Sequence, residues 1–261
     1  GWLRPLDHYR DAALYLRGET CGVADMLELA VKLTDAGLGD YWDDVDAIVR
    51  NHLVEQQITD LERMKQLGGA ANEDMLKRFM GGFNQSMEGW INSTGPHMWG
   101  CCSSNGAMGL YYAWHGITRF DNGVAKVNLF LNRASDWMDI DSYLPYEGKV
   151  VLYNKKAQAA HVRLPFWLNK TQVEVTVNGK SVKPPLSENY LIIEGLKGGD
   201  TIELNFTVPE SKEKYTIGLN GGREYELTIR GSTVIDVTPR DPNPALYQYY
   251  MRQNMTGTKA P

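Results

Sequence analysis

The chain has 261 residues, of which 43% are hydrophobic and 23% charged, and its net charge is −5 at pH 7. This length and composition are typical of a soluble globular protein with one large domain or two ordinary ones. Nothing in them indicates a nucleic-acid partner, because phosphate binding needs concentrated Lys and Arg. Nothing indicates a membrane partner either, because the longest apolar runs, such as YLII and VNLFL, are too short to cross a bilayer.

The start of the chain leaves its compartment open. Residues 1–22 carry scattered charges and no continuous apolar region, so no secretory signal is predicted. The first residue is Gly rather than Met, and we therefore expect a processed chain or a fragment. The sequence is compatible with the cytoplasm and with the periplasm or the exterior.

Up to about residue 117, apolar residues recur at intervals of three and four, which predicts helices. The candidate helices are residues 20–37, 41–58, 72–80 and, after the cysteine pair, 105–117. Glycines punctuate the chain after the first of them. These helices are compatible with a small bundle and equally with the last hairpins of a larger helical barrel.

After residue 120 the period changes to two. Eight short segments rich in β-branched residues are separated by Gly, Pro and Asn, which predicts an antiparallel β-sandwich. Asn178-Gly179 is a strong hairpin-turn signal between two of them. We therefore predict a multidomain α + β protein, with a helical domain over 1–120 and a β-sandwich over 121–261.

The three cysteines, Cys21, Cys101 and Cys102, are the most unusual feature of the sequence. A disulfide between the adjacent pair would close a strained ring, and a bridge from Cys21 to either one leaves an odd thiol. All three could instead be small buried hydrophobic residues. Glu19 stands two residues before Cys21, so in an extended segment both side chains point the same way.

Those four residues suit a metal ion. Two loops, each preceding a helix, would offer one carboxylate and three sulfurs, which matches a tetrahedral Zn²⁺ site. Bound metal keeps thiols deprotonated, and a thiolate is the nucleophilic form. One sulfur of the pair could then face a substrate cavity. His97 and Trp99 would lie near the same opening, where Trp99 could stack on a sugar.

Four segments resemble a known family: GETCG (18–22), HMWGCCSSNGAMGLYYAWHGI (97–117), LPFW (164–167) and VTVNGK (175–180). They are similar to the β-L-arabinofuranosidase family of glycoside hydrolases, formerly a domain of unknown function. The resemblance implies an (α/α)₆ barrel followed by β-sandwich domains, a retaining mechanism with a cysteine nucleophile, and Zn²⁺ held by a Glu-x-Cys motif and a later Cys-Cys pair.

Carried over residue by residue, this resemblance makes Glu19, Cys21, Cys101 and Cys102 the zinc ligands and Cys101 the nucleophile. It makes the helical domain 1–120 a partial barrel that carries the zinc/cysteine site. The implied partners are an arabinofuranoside-like carbohydrate substrate and the remaining, N-terminal portion of the barrel.

Two departures from the family accompany the match. The family's CCPPN reads CCSSN here, with Ser103 and Ser104 in place of two prolines. Family enzymes are also much longer, and their acid/base glutamate precedes the Glu-x-Cys motif. No residue of this chain matches it, and Glu88 is a weak stand-in. The resemblance therefore covers the C-terminal part of the family's architecture.

Two rival interpretations belong to other functional classes. One is a structural zinc site in a non-catalytic carbohydrate-binding protein. The other is a redox protein in which the cysteine pair cycles, although the C-x-x-C arrangement of such proteins is missing.

Overall fold

The structure, a computed structural model, describes residues 19–67, 72–83, 91–92, 95–96, 100–217 and 222–239. Helices and several sheets are both present in these ranges, so the mixed helix-and-sheet class predicted from the sequence is confirmed. The α-helices are α1 (Thr20–Asp35), α2 (Trp42–Ile48), α3 (Leu61–Leu67), α4 (Glu73–Phe79) and α5 (Gly100–Ile117). Within the described ranges, no helix combines the length and the apolarity needed to cross a bilayer.

Helix α1 follows its sequence pattern closely. Its buried residues recur at intervals of three and four: Thr20, Val23, Ala24, Leu27, Ala30 and Val31. The helix ends before Gly37, whose φ of +71° is a left-handed conformation that favours glycine. The Leu38 N–H then donates to the Leu33 carbonyl, which closes the last turn. The predicted helix over 20–37 is confirmed.

The second predicted helix is not uniform. Helix α2 ends at Ile48, and the chain continues as a π-helical turn over Val49–Leu53 and a 3₁₀ turn over Val54–Gln56. Within this wider π-helical turn, Asn51 makes a side-chain contact with a distant strand. Its Oδ1 accepts a hydrogen bond from the Val234 N–H at 2.8 Å. Periodicity alone could not report this change of winding. Between α1 and residues 41–52 lies a cavity of about 510 Å³.

Helices α3 and α4 share a small apolar cluster of Ile58, Met64 and Leu76, all buried. Helix α4 begins after Asn72, whose side chain accepts a hydrogen bond from the Asp74 N–H at 2.8 Å. A side-chain oxygen at this position satisfies a backbone donor that has no partner inside the helix. The short helix predicted over 72–80 is confirmed.

Most strands follow α5. In chain order they are β1 (Ile91–Asn92), β2 (Gly95–Pro96), β3 (Thr118–Asp121), β4 (Val124–Val127), β5 (Met138–Ser142), β6 (Lys149–Asn154), β7 (Ala159–Arg163), β8 (Glu174–Val177), β9 (Lys180–Val182), β10 (Leu186–Ser187), β11 (Tyr190–Glu194), β12 (Thr201–Asn205), β13 (Glu210–Ile217), β14 (Arg223–Arg230) and β15 (Thr233–Thr238).

The strands after α5 form three sheets. Two have five strands, in the orders β10-β11-β7-β4-β3 and β5-β6-β12-β8-β9, and the third has the order β13-β14-β15. Within the five-stranded sheets the neighbours are antiparallel except for β4 and β7, which are parallel. The predicted hairpin joins β8 to β9, with φ of +51° at Asn178 and +75° at Gly179.

Strands β5, β11 and β12 bury alternate residues, and the residues between them are partly or fully exposed. Strand β5 buries Met138 and Ile140, while Asp139 and Asp141 between them are half-buried. Strand β3 was missed at the sequence level, because polar residues occupy much of its segment. Arg133 is buried beside the end of α5 and donates to the Trp114, His115 and Thr118 carbonyls at 2.7–3.0 Å.

The contacts divide the chain into two compact units. One contains the described residues within Gly1–Tyr112, Lys212–Ile229 and Thr233–Met255, and the other those within Ala113–Ser211 and Arg230–Ser232. Helix gives way to strand between Ile117 and Thr118. The domain limits read from the sequence, 1–120 and 121–261, stay a prediction.

Candidate metal and nucleophile site

The three cysteine side chains meet in one cluster. Their Sγ atoms all lie within 4.8 Å of one another. Cys21 Sγ is 3.6 Å from Cys102 Sγ, and Cys101 Sγ is 3.8 Å from Cys102 Sγ. All three are free thiols. Two segments 81 residues apart therefore deliver their sulfurs to the same place.

The sulfurs lie in helical first turns rather than in the loops predicted from the sequence. Helix α1 begins at Thr20 and helix α5 at Gly100, so each cysteine is already inside its helix. Glu19 is extended, with φ of −75° and ψ of 135°, and its carbonyl accepts the Val23 N–H. The prediction that Glu19 and Cys21 share one extended segment is therefore wrong.

This placement favours negative charge on the sulfurs. Backbone N–H groups of a first helical turn have no partner inside the helix, and the helix dipole is positive there. Neither α1 nor α5 has an acidic residue in its first turn. In these two turns, the positive end of the helix dipole therefore stabilises the negative charge of the cysteine thiolates.

Helical geometry also explains why the two cysteines are adjacent. Successive residues of an α-helix point about 100° apart around its axis. Cys102 is fully buried, with 0% of its surface exposed, whereas Cys101 is exposed to solvent. One turn thus supplies a sulfur fixed inside the protein and a second sulfur that a solute can reach.

Two glycines let α5 approach its neighbours closely. A Cβ on Gly109 would lie 3.1 Å from Ala24 Cβ and 3.3 Å from Leu53 Cδ2. A Cβ on Gly106 would lie 2.2 Å from Phe83 Cγ, closer than such atoms can approach. The contact of Gly109 with Ala24 places α5 beside α1, whose first turn carries Cys21.

Burial opposes ionisation of the Cys21 and Cys102 sulfurs. It raises the pKa of the Cys102 thiol well above the ordinary cysteine value. It also raises the pKa of the Cys21 thiol, and the hydrogen-bonding interactions with Asn105 and Cys102 act against that rise. Three thiolates this close would also repel one another. A cation is therefore needed to balance the charge if all three sulfurs are to be ionised.

The donor set fits a soft divalent metal. A tetrahedral Zn²⁺ with sulfurs at about 2.3 Å separates those sulfurs by about 3.8 Å. The observed separations of 3.6 and 3.8 Å agree with this spacing. Thiolate ligands also select zinc over magnesium or calcium. The cluster can therefore hold a metal without a large rearrangement of its sulfurs.

Not every residue named from the sequence belongs to the cluster. Among the described residues, the metal-competent group that contains Cys21 consists of the three sulfurs, and the Glu19 carboxylate is not a member. Glu19 is half-buried, and its role as the fourth ligand stays a prediction. His97, Trp99 and Glu88 lie outside the described residues.

Sequence reasoning gave no role to Asn105, Gly106 or Gly109. Sequence spacing could have indicated Asn105, because it follows Cys101 by four residues and therefore lies on the same face of the helix. The two glycines lie three residues apart on α5, which marks a face of close helix packing.

Comparison with known proteins identifies relatives of this fold. The family model for "Beta-L-arabinofuranosidase, GH127 middle domain" matches residues 126–208. A solved structure described as a glycoside hydrolase matches with a TM-score of 0.59 at 18% identity. The match covers 84% of this chain and 38% of the chain in that structure. The chain resembles the GH127 β-L-arabinofuranosidases. The family resemblance inferred from the sequence is confirmed.

Two further structures carry the GH127 name. A GH127 β-arabinofuranosidase matches with a TM-score of 0.58 at 17% identity, over 85% of this chain and 37% of its own. A GH127 β-L-arabinofuranosidase from Geobacillus stearothermophilus T6 matches with a TM-score of 0.53 at 17% identity, over 84% of this chain and 36% of its own. The chain thus spans a little over a third of the length of these GH127 structures. No curated protein matches its sequence.

The GH127 family match and the cysteine cluster occupy different parts of the chain. Residues 126–208 run from β4 to β12 and hold most of the two five-stranded sheets. Cys21, Cys101 and Cys102 precede that range. The three solved structures extend the likeness beyond it, because their matches cover 84–85% of the chain.

Proposed function

We propose that this chain carries the sulfur site of a retaining glycoside hydrolase that acts on arabinofuranoside-like substrates. One observation carries the proposal: three sulfurs converge within 4.8 Å, and the sulfur of Cys101 is the exposed one. An exposed thiolate beside two more deeply placed ligands suits a nucleophile better than a structural clamp, in which every sulfur would be enclosed.

The proposed architecture follows the same family. Helices α1 to α5 are the last hairpins of an (α/α)₆-type barrel, and the two five-stranded sheets are the layers of a β-sandwich. Alternating burial along their strands supports the second assignment, because each sheet needs a partner for its apolar face. The limits of these domains are 1–120 and 121–261.

The proposed metal ligands are Cys21, Cys101 and Cys102, with Glu19 as the fourth. Bound Zn²⁺ would supply the positive charge that keeps the sulfurs ionised at neutral pH. Their separations and the two helix N-termini support this assignment. His97 and Trp99 are the proposed substrate contacts, by their closeness in sequence to the cysteine pair.

In the proposed reaction the Cys101 thiolate attacks the anomeric carbon. A sulfur–carbon bond forms while the glycosidic carbon–oxygen bond breaks, and the leaving oxygen takes a proton from an acid residue. Water then attacks the same carbon, its proton passes to that residue, and Cys101 leaves as a thiolate. The acid/base residue is proposed to lie in the remaining portion of the barrel.

Trapping the covalent adduct tests this proposal. The purified chain is incubated with an aryl β-L-arabinofuranoside whose phenol leaves readily, because such a leaving group needs little help from an acid. We expect the intact mass to rise by one sugar residue, and peptide mapping to place that sugar on Cys101. Cys101→Ser should form no adduct and should keep more bound zinc than Cys102→Ser.

Two results would argue against the nucleophile. If Cys101→Ser and Cys102→Ser lost bound zinc to the same extent and lost the adduct to the same extent, the result would favour a structural metal. Failure of iodoacetamide to alkylate Cys101 in the zinc-loaded protein would show that its sulfur is not reachable by a solute.

A further inference from the structure

Asn105 extends its side chain to the sulfur cluster. It follows Cys101 by four residues and Cys102 by three on α5, so it lies one turn below the pair on the same side of the helix. Side chains in a helix lean toward its N-terminus, which carries the Asn105 amide toward the sulfurs. Asn105 is half-buried, and its side chain acts to lower the pKa of the Cys21 thiol on the neighbouring helix, as a hydrogen-bond donor to that sulfur does.

The chemistry of the two groups fixes the direction of this bond. A thiolate has no proton and can only accept, whereas the asparagine side chain offers two N–H donors at Nδ2. The carboxamide must therefore present Nδ2 to an ionised Cys21. Cys21 is also the sulfur that comes from the other helix, so the bond spans α5 and α1.

We propose that Asn105 is a positioning residue of the metal site: its Nδ2–H group donates to the Cys21 sulfur and holds that sulfur toward Cys101 and Cys102. This inference rests on the proposed function, because it takes the three sulfurs as metal ligands. Groups that hydrogen-bond to ligands typically change metal affinity by about 10–100-fold when they are removed.

Ser104, the preceding residue, provides a matched control. It lies in the same turn of α5 and is exposed, and its hydroxyl donates to the Gly100 carbonyl at 2.9 Å instead of to a sulfur. A change at Ser104 therefore disturbs the same turn without removing a donor from the cluster.

The test compares Asn105→Leu, Asn105→Ala and Ser104→Ala with the unmodified chain. Zinc affinity is measured by competition with a chelator, and the sulfur-to-metal charge-transfer band is recorded with Co²⁺. Asn105→Leu keeps the number and branching of the side-chain heavy atoms. Asn105→Ala, which introduces a good helix former, is the alternative if the leucine variant does not fold. We expect both to lower zinc affinity by about 10–100-fold. Their bands should move to lower energy, because a thiolate without its hydrogen bond gives up electrons more easily.

Each outcome decides the inference. Unchanged affinity in both Asn105 variants overturns it and leaves the proposed function standing, provided that the unmodified chain binds one zinc. Reduced affinity with an unshifted band also overturns it, because the loss would then be structural. A loss of zinc affinity in Ser104→Ala equal to that in the Asn105 variants also overturns the inference. A chain that binds no metal overturns both proposals together.

Discussion

At the scale of single residues, His52 is the clearest titratable group away from the sulfurs. It belongs to the π-helical turn and lines the cavity beside α1. Burial lowers the pKa of its imidazole to about 4. Since an unfolded histidine titrates near pH 6.5, the unfolded chain binds more protons between these values. The contribution of His52 to stability is therefore complete above about pH 6.5 and is lost as the pH falls toward 4.

We expect His52→Gln to flatten this dependence. Between about pH 7.5 and about pH 4.5, the unmodified chain should lose about 2 kcal/mol more unfolding free energy than the variant does. Urea unfolding at both pH values measures the difference, with chelator present so that metal binding does not contribute. Parallel losses in the two proteins would contradict the assignment.

The site residues differ in how far sequence could predict them. The meeting of Cys21 with Cys101 and Cys102 followed from residue types that share one chemistry. The position of Cys101 and Cys102 inside the first turn of α5 did not, because the polar and glycine-rich stretch GCCSSNG has no apolar period that marks a helix start. The contact of Asn105 with Cys21 depends on helix packing, which spacing along one chain does not contain.

At the scale of elements, the packing of α5 depends on Gly106. Gly106→Ala would place a methyl group 2.2 Å from Phe83 Cγ, and Phe83 is almost fully buried. Phe83 or α5 must then shift. We expect a loss of about 1–3 kcal/mol in unfolding free energy, measured by urea unfolding.

Gly100→Ala is the matched control for this prediction. It lies on the same helix, and a Cβ there meets no atom within 4 Å. Because alanine favours helix more than glycine does, this change should be neutral or should stabilise by up to about 1 kcal/mol. Similar destabilisation by the two substitutions would show that close packing at Gly106 is not the cause.

Element prediction succeeded where one periodicity dominated. Helix α1 and the hairpin at Asn178-Gly179 have strong local signals, and both are confirmed. The residues after Ile48 kept a helical spacing of apolar positions, but the backbone changes to π winding there. The parallel pairing of β4 with β7 was also missed, because strand order depends on contacts between distant segments.

At the scale of the whole molecule, the chain spans a little over a third of the two GH127 structures that it resembles. If the acid/base residue belongs to the remainder, this chain should bind about one zinc and hydrolyse arabinofuranosides poorly. A general acid contributes about 10²–10⁴-fold to such reactions. We therefore expect kcat/KM to fall at least about 10²-fold below that of a full-length relative when the leaving group is an alkyl alcohol.

The same comparison with an activated aryl glycoside is the control, because the deficit should shrink when the leaving group departs without a proton. Metal content and steady-state rates measured on both proteins provide the test. Equal activity of the chain and the full-length relative on alkyl substrates would show that the acid is already present.

The unequal exposure of Cys101 and Cys102 has a consequence for how this site can change over time. Their opposite environments depend on the 100° step between successive helical residues. Inserting or deleting one residue in the first turn of α5 would rotate both thiols by about 100° out of their present environments, and no single side-chain replacement elsewhere could rotate them back. We therefore expect length changes in this turn to be far less tolerated than the exchange of its two serines for other small residues.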